Sequence, residues 1–118
     1  MLSISPSTKI YLVAGSTDMR KQFDSLAAIV SGTLKLDPFS GQLFVFCNRK
    51  RNRLKTLLWE RSGFWVCAKR LEKGTFAWPP SPEPTIEMSY EELVVLLGGL
   101  DLQGSKRRAW YERRRPTG

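Results

Sequence analysis

Three apolar segments separated by very short polar turns constrain the fold of this chain more than any other feature. The first, QLFVFCN (residues 42–48), is apolar on both faces of an extended chain, which predicts a strand at the centre of a sheet. RLKTLLWE (53–60) and FWVCAKRL (64–71) follow it, and the turns RKRN and RSG between them are short enough to predict antiparallel pairing. After the turn EKG, TFAW (75–78) predicts a short fourth strand, so that residues 42–78 form a meander.

A strand and a helix are predicted before the meander. KIYLVA (9–14) is rich in residues that favour strands. The polar stretch GSTDM follows it, and either Ser16 or Thr17 is the expected N-cap of a helix over residues 18–31 that ends near Gly32. Helical spacing of the apolar residues predicts that this helix packs on one face of the sheet through Met19, Phe23, Leu26 and Val30.

A second, shorter helix is predicted after the meander. The proline-rich segment PPSPEP (79–84) can join neither a sheet ladder nor a helix interior, so we expect an extended connector there. Ser89 and Glu92 then match the S-x-x-E capping box, ahead of the apolar run LVVLLGGL. The order of elements predicts one α+β domain over residues 1–104, with an antiparallel meander of four to five strands, followed by a basic, flexible tail at 105–118.

Positive charge is concentrated in two short segments of this chain. The chain of 118 residues carries a formal charge of +8. Residues 49–55 contain five cations and no acid, and residues 106–115 contain six cations and one acid, which leaves eight cations and ten acids for the rest. Such concentration on an otherwise slightly acidic domain predicts an anionic polymer as partner, DNA in the first place and RNA as the alternative.

The turn between the first two meander strands is the primary candidate for nucleic-acid contact. The alternative interpretation is a solvated turn, in which exposed cations add little to stability. A face with cations and tryptophans together could also stack on bases, although Trp59, Trp65 and Trp78 are better explained as core residues in so small a domain. The candidate nucleic-acid-binding residues are Arg49, Lys50, Arg51, Arg53, Lys55, Lys69 and Arg70, with a secondary basic tail of Lys106, Arg107, Arg108, Arg113, Arg114 and Arg115.

The residue types needed for catalysis are scarce. The chain has no histidine, which removes the commonest general base and metal ligand, and its two cysteines do not make a zinc site. Its eleven acids are scattered, so we expect no catalytic residues, no bound metal and no cofactor. There is no membrane-length apolar segment and no signal-peptide pattern, and two free thiols suit a reducing cytosol. We therefore expect a cytoplasmic bacterial protein, and association with the nucleoid is compatible with this location.

Several motifs together resemble a known bacterial family. The segments STDMRKQFDSLAAIV, DPFSGQLFVFCNRKRNRLKTLLWERSGFWVCAKRLEKGTFAWP and LLGGLD are similar to the TnpB, or Orf2-like, accessory protein of insertion-sequence family sixty-six, from about Tyr11 to Leu102. The larger RNA-guided nuclease that shares the TnpB name is a different protein. The resemblance implies a small protein encoded beside a larger transposase and needed for efficient transposition, with no agreed catalytic residues.

Within this family pattern, four positions are not explained by caps or turns: Arg53, Lys55, Lys69 and Arg70. The first hypothesis for function is a non-catalytic accessory factor that binds nucleic acid through the basic hairpin and assists the transposase. The second is an interaction module that docks on the transposase without touching nucleic acid, and the third is an enzyme with no identifiable site. Exposed edges of a meander would permit a homo-oligomer without requiring one.

Overall fold

The computed structural model describes residues 4–98, which form a five-stranded sheet with one helix on each face. The elements are β1 (Ile10–Val13), α1 (Phe23–Ala28, continued by a π-helical turn at Ile29–Thr33), β2 (Leu43–Cys47), β3 (Arg53–Glu60), β4 (Gly63–Arg70), β5 (Thr85–Met88) and α2 (Tyr90–Leu97). The strand order is β4-β3-β2-β1-β5, and β2 is the central strand with every residue buried. β1 runs parallel to β2, whereas the pairs β2–β3, β3–β4 and β1–β5 are antiparallel.

The alternation of side chains along β2 divides the core into two halves. Phe44 and Phe46 point to the face that α1 covers, where Leu26 and Val30 are fully buried against them. This packing confirms the prediction of a helix on one sheet face. The α1 face buries Val13, Leu26, Val30, Leu34, Phe44, Phe46 and Leu57.

The opposite sheet face is covered by α2. Ser89 accepts a hydrogen bond from the backbone N–H of Glu92, and the Glu92 carboxylate accepts one from the Ser89 N–H, so the predicted capping box is present. The helix turns Leu93 and Leu96 inward. The buried cluster on this face is Ile10, Leu12, Leu43, Val45, Cys47, Leu54, Leu58, Phe76, Leu93 and Leu96.

The first helix begins later than the sequence predicts. Neither Ser16 nor Thr17 is its N-cap, because the Asp18 carboxylate accepts the Arg20 N–H and closes a separate turn. The helix starts after Gln22, whose N–H donates to the Ser25 hydroxyl. As a result Phe23 lies in the first turn and is 46% exposed, so the prediction that it is a core residue is wrong.

Two details of the sheet also differ from the prediction. TFAW (75–78) is not a strand: its backbone is irregular, and Phe76 fills the α2-side core while its N–H donates to the carbonyl of Arg51. The fifth strand is instead β5, after the prolines, where it pairs with β1 at the edge. β1 runs parallel to β2 because α1 carries the chain back across the sheet between them. The α+β class and the meander β2–β3–β4 are confirmed.

The topology places several loops at one end of the sheet. The β2–β3 turn, the loop after β1 and the loop after β4 all meet there, whereas the β3–β4 turn lies at the opposite end. We call the first of these the basic turn (residues 48–53). Among residues 4–98, no helix is long and apolar enough to cross a membrane.

Candidate nucleic-acid interface

Asn48 organises the backbone of the basic turn. Its side-chain oxygen accepts the N–H groups of Asn52 and Arg53, both at 3.1 Å, and its amide nitrogen donates to the side chain of Asn52 at 2.8 Å. Its carbonyl accepts the Arg51 N–H, as in a β-turn. Asn is suited to this position because its short side chain replaces ladder hydrogen bonds where the strands separate. The turn therefore has a defined shape.

Arg51 ties the basic turn to the rest of the domain. Its guanidinium donates to the carbonyl of Gly15 at 2.8 Å and lies 5.5 Å from the ring centroid of Trp78. Its backbone adopts a left-handed conformation with φ of 61°, which is unusual for a residue with a side chain. The Arg51 side chain therefore has a structural role and is not one of the solvated turn cations.

The other three cations of the basic turn point to solvent. Arg49, Lys50 and Arg53 are exposed, and their side chains form no hydrogen bond or ion pair with any of residues 4–98. Of the five cations in residues 49–55, only Arg51 and Lys55 have a hydrogen-bond acceptor within the part of the chain that the structure describes.

The loop after β1 lies beside the basic turn and forms a groove with it. Thr17 is buried, and its N–H donates to the carbonyl of Cys47 at 2.7 Å, which holds the loop against the end of β2. The open groove between loop and turn has a volume of about 670 Å³. Its walls are residues 16–20 on one side and Asn48, Arg49, Lys50, Asn52 and Arg53 on the other.

An ion pair lies in the wall of this groove. Arg20 donates from Nε and Nη2 to the Asp18 carboxylate, with a shortest N–O distance of 2.6 Å. The side-chain hydrogen bond from Arg20 lowers the pKa of Asp18 to about 2. Because the Arg20 side chain is 90% exposed, its outer edge still faces solvent. Arg20 is not among the residues predicted to bind nucleic acid, although the D-M-R spacing is compatible with a carboxylate turn of this kind.

Lys55, which the sequence predicts to contact nucleic acid, is instead buried. Only 9% of its surface is exposed, and its ammonium donates to the carbonyl of Lys21 at 2.8 Å, just before the cap of α1. It therefore fixes the end of the loop that forms one groove wall. The presence of a lysine within this strand is therefore explained by its hydrogen bond to the Lys21 carbonyl, without any contact to phosphate.

The last two candidate residues of the sheet lie on opposite faces of β4. Arg70 is paired in register with Arg53, on the α1 side, and its exposed guanidinium contacts Glu72 at 3.1 Å. Lys69 points to the α2 side and donates to the carbonyl of Leu97 at 2.7 Å, where a cation stabilises the C-terminal end of a helix. The structure therefore brings Arg70 close to the basic turn and separates Lys69 from it. The predicted tail residues 106–115 lie outside the described residues.

The three strand and connector tryptophans lie in different places. Trp59 packs edge-on against Phe39 and Phe64, with ring centroids 5.0 Å apart in both pairs, at the end of the sheet remote from the basic turn. Trp78 is partly buried and donates to the Val13 carbonyl. Trp65 is 50% exposed on the α2 side. No single face therefore carries these rings together with the turn cations.

The two cysteines lie on β2 and β4 and differ in burial. Burial raises the pKa of the Cys47 thiol, which lies in the core of β2. Cys67, on β4, is only partly covered, and both thiols are free. Within residues 4–98, no three His, Cys, Asp or Glu side chains are close enough together to hold a metal ion.

Comparison with known proteins identifies the family of this chain. The family described as IS66 Orf2 like protein matches residues 8–107. Two uncharacterized proteins of Sinorhizobium fredii are similar: y4hO is 39% identical over 101 residues, 86% of this chain and 88% of that protein, and y4jC is 34% identical over 108 residues, 92% of each. No solved structure matches the chain. The match spans the sheet, both helices and the basic turn, so the chain belongs to the IS66 Orf2-like family and is associated with the transposition of insertion sequences of that type.

Proposed function

We propose that this protein is a non-catalytic accessory factor that binds nucleic acid through the basic turn and assists the transposase of the same element. One observation carries the proposal: Arg49, Lys50 and Arg53 are exposed beside a groove and have no acceptor among residues 4–98. Cations presented in this way displace condensed counterions when they contact phosphates, which is the main source of affinity for a nucleic-acid backbone.

The pairing of β3 with β4 supports this assignment. Arg53 lies directly opposite Arg70 on the same face, and like charges at such positions destabilise a sheet. Glu72 offsets only the charge of Arg70. A phosphate between the two guanidinium groups would remove the repulsion and accept hydrogen bonds from both. Nucleic acid would thus supply the anion that residues 4–98 do not provide to Arg53.

The groove geometry favours contact with the phosphate backbone over recognition of base sequence. Its side chains toward solvent are mainly guanidinium and ammonium groups, which position a protein on a duplex without reading its sequence. The Asp18 carboxylate would repel phosphate, but Arg20 neutralises it. We therefore infer weakly sequence-dependent binding, with selection of the element ends left to the transposase.

The decisive experiment compares salt dependence in the wild type and an R49S/K50S/R53S variant. Fluorescence anisotropy with a labelled duplex would be recorded between about 50 and about 200 mM salt. Three lost contacts reduce the slope of log affinity against log salt by about 2.7, so the ratio of wild-type to variant affinity shrinks about 40-fold across that range. On a labelled single strand the slope should fall by about 2.

A matched control removes the same charge from the opposite end of the sheet. In K9S/K35N/R61N, Asn replaces the two residues with left-handed backbone, because Asn tolerates that conformation. This control should keep most of the wild-type slope. If both variants lose the same slope, only net charge matters and the basic turn is not the binding surface.

The exposed aromatic residues favour a second candidate function, docking on the transposase without contact to nucleic acid. Phe39 is 56% exposed and Trp65 is 50% exposed, and such rings are common in protein interfaces. A pull-down with the cognate transposase, with and without terminal DNA, separates the two functions. Capture that needs no DNA and persists in R49S/K50S/R53S would favour this second function.

A further inference from the structure

The outer face of α2 is apolar although it is exposed. Leu93 and Leu96 face the core, yet Tyr90, Val94 and Val95 on the other side of the same helix are each 45–50% exposed. Tyr90 and Val94 are four residues apart and therefore adjacent on the helix surface. A helix that is apolar around most of its circumference is typical of one that is covered on both sides.

Acidic residues accompany this apolar face. Glu91 and Glu92 are exposed in the first turn of α2. Over residues 79–98 the chain has four acids, Glu83, Glu87, Glu91 and Glu92, and no lysine or arginine, although the whole chain carries +8. The surface is therefore unsuited to nucleic acid, and an occupant should combine positive charge with apolar or aromatic side chains.

The chain's own segment 105–118 has that chemistry. Its cations surround two aromatic residues, Trp110 and Tyr111, in the sequence SKRRAWYERRRPTG. It follows Gly98, at the C-terminal end of α2, after only six intervening residues. Those six residues can span about 20 Å when extended, whereas an eight-residue helix is about 12 Å long. Segment 105–118 is therefore long enough to return along α2 without strain. Its covalent attachment keeps its local concentration near the helix in the millimolar range.

We propose that residues 105–118 dock on the outer face of α2. Trp110 and Tyr111 cover Val94 and its apolar neighbours, while the flanking cations pair with Glu91 and the rest of the acidic first turn. In this arrangement the segment buries the outer face of α2. Its cations form ion pairs within the protein and do not add to the positive charge at the basic turn. This proposal does not depend on nucleic-acid binding.

Site-specific photo-crosslinking in the full chain tests the proposal. Val94 would be replaced by p-benzoylphenylalanine, and crosslinked peptides would be identified by mass spectrometry. We expect a crosslink to residues 105–118 within a single chain, at a yield that does not change with protein concentration. The same photo-reactive residue at Phe23, which is 46% exposed on α1 across the sheet, serves as the matched control and should give little of this product.

Two variants examine the chemistry of the contact. W110S/Y111S removes the aromatic pair and should reduce the Val94 crosslink about tenfold, since each aromatic contact contributes a factor of a few. E91Q should reduce the yield less, while leaving the Ser89–Glu92 capping box intact. A crosslink only between two chains, an equal yield from Phe23, an unchanged yield in W110S/Y111S, or no crosslink to 105–118 would each overturn the proposal.

Discussion

Replacement of Arg51 should destabilise the domain, unlike replacement of the two cations before it. In Arg51→Ser the domain loses the 2.8 Å hydrogen bond from the guanidinium to the Gly15 carbonyl and the contact with Trp78. Gly15 and Trp78 belong to segments far apart in the chain, so the side chain holds the loop after β1 and the connector before β5 against the basic turn. Arg49 and Lys50 are exposed, and their side chains make no such contact with residues 4–98.

The magnitude follows from these contacts. A hydrogen bond from a charged group contributes about 1.5–3 kcal/mol, and a cation over an aromatic ring at a partly exposed site contributes about 0.5–1 kcal/mol. Arg51→Ser should therefore lower the free energy of unfolding by about 2–4 kcal/mol. R49S/K50S should change it by less than about 0.5 kcal/mol, as is usual for exposed charges.

A third variant separates the lost contacts from the backbone conformation. Arg51→Gly loses the same side-chain contacts, but glycine adopts the left-handed backbone at this position without the strain of about 1 kcal/mol that serine has. The order of stability should be wild type, then Arg51→Gly, then Arg51→Ser. Urea denaturation followed by tryptophan fluorescence gives all four free energies. Equal stability of Arg51→Ser and R49S/K50S would refute the structural role of Arg51.

Three further outcomes are expected from burial and charge. Because Phe23 is half exposed, Phe23→Ala should change the unfolding free energy by less than about 1 kcal/mol, whereas Leu26→Ala at a fully buried site should lower it by about 2–5 kcal/mol, as measured by urea denaturation. Cys47, whose pKa is raised by burial, should react with N-ethylmaleimide far more slowly than Cys67 until the protein unfolds, as peptide mass spectrometry would show. The arginine partner lowers the pKa of the Asp18 carboxyl to about 2, so Asp18 should stabilise the fold at pH values above its unfolded pKa of 3.8 and lose this effect as the pH falls toward 2. The difference in unfolding free energy between wild type and Asp18→Asn across this pH range measures the effect. An Asp18 titration midpoint near pH 4 by NMR would contradict the expectation.

Local patterns in the sequence determined most of the fold. The run Leu43–Cys47 is apolar at every position, so it can only be buried on both faces, and it is the central strand. The Ser89–Glu92 capping box is formed by contacts three residues apart, and such short-range geometry is readable from sequence. The concentration of cations between residues 49 and 55 was likewise visible without a structure.

Elements that depend on weak or competing local signals were not predicted correctly. The start of α1 was placed too early because the Asp18 turn and the helix begin with similar residue types. β5 was missed because an edge strand of four residues, directly after prolines, needs only its partner β1 to form. TFAW has strand-forming residues, but Phe76 is used to fill the core instead.

Only the tertiary structure decided which cations are available to a ligand. The sequence presents Arg51, Lys55 and Lys69 as equivalent to their neighbours, but each donates to a backbone carbonyl 28 to 36 residues away. Every residue has such a carbonyl, so no pattern of side chains indicates which of them will meet a given cation. That depends on how β1, α1 and α2 pack on the sheet, and this packing leaves Arg49, Lys50 and Arg53 exposed beside the groove.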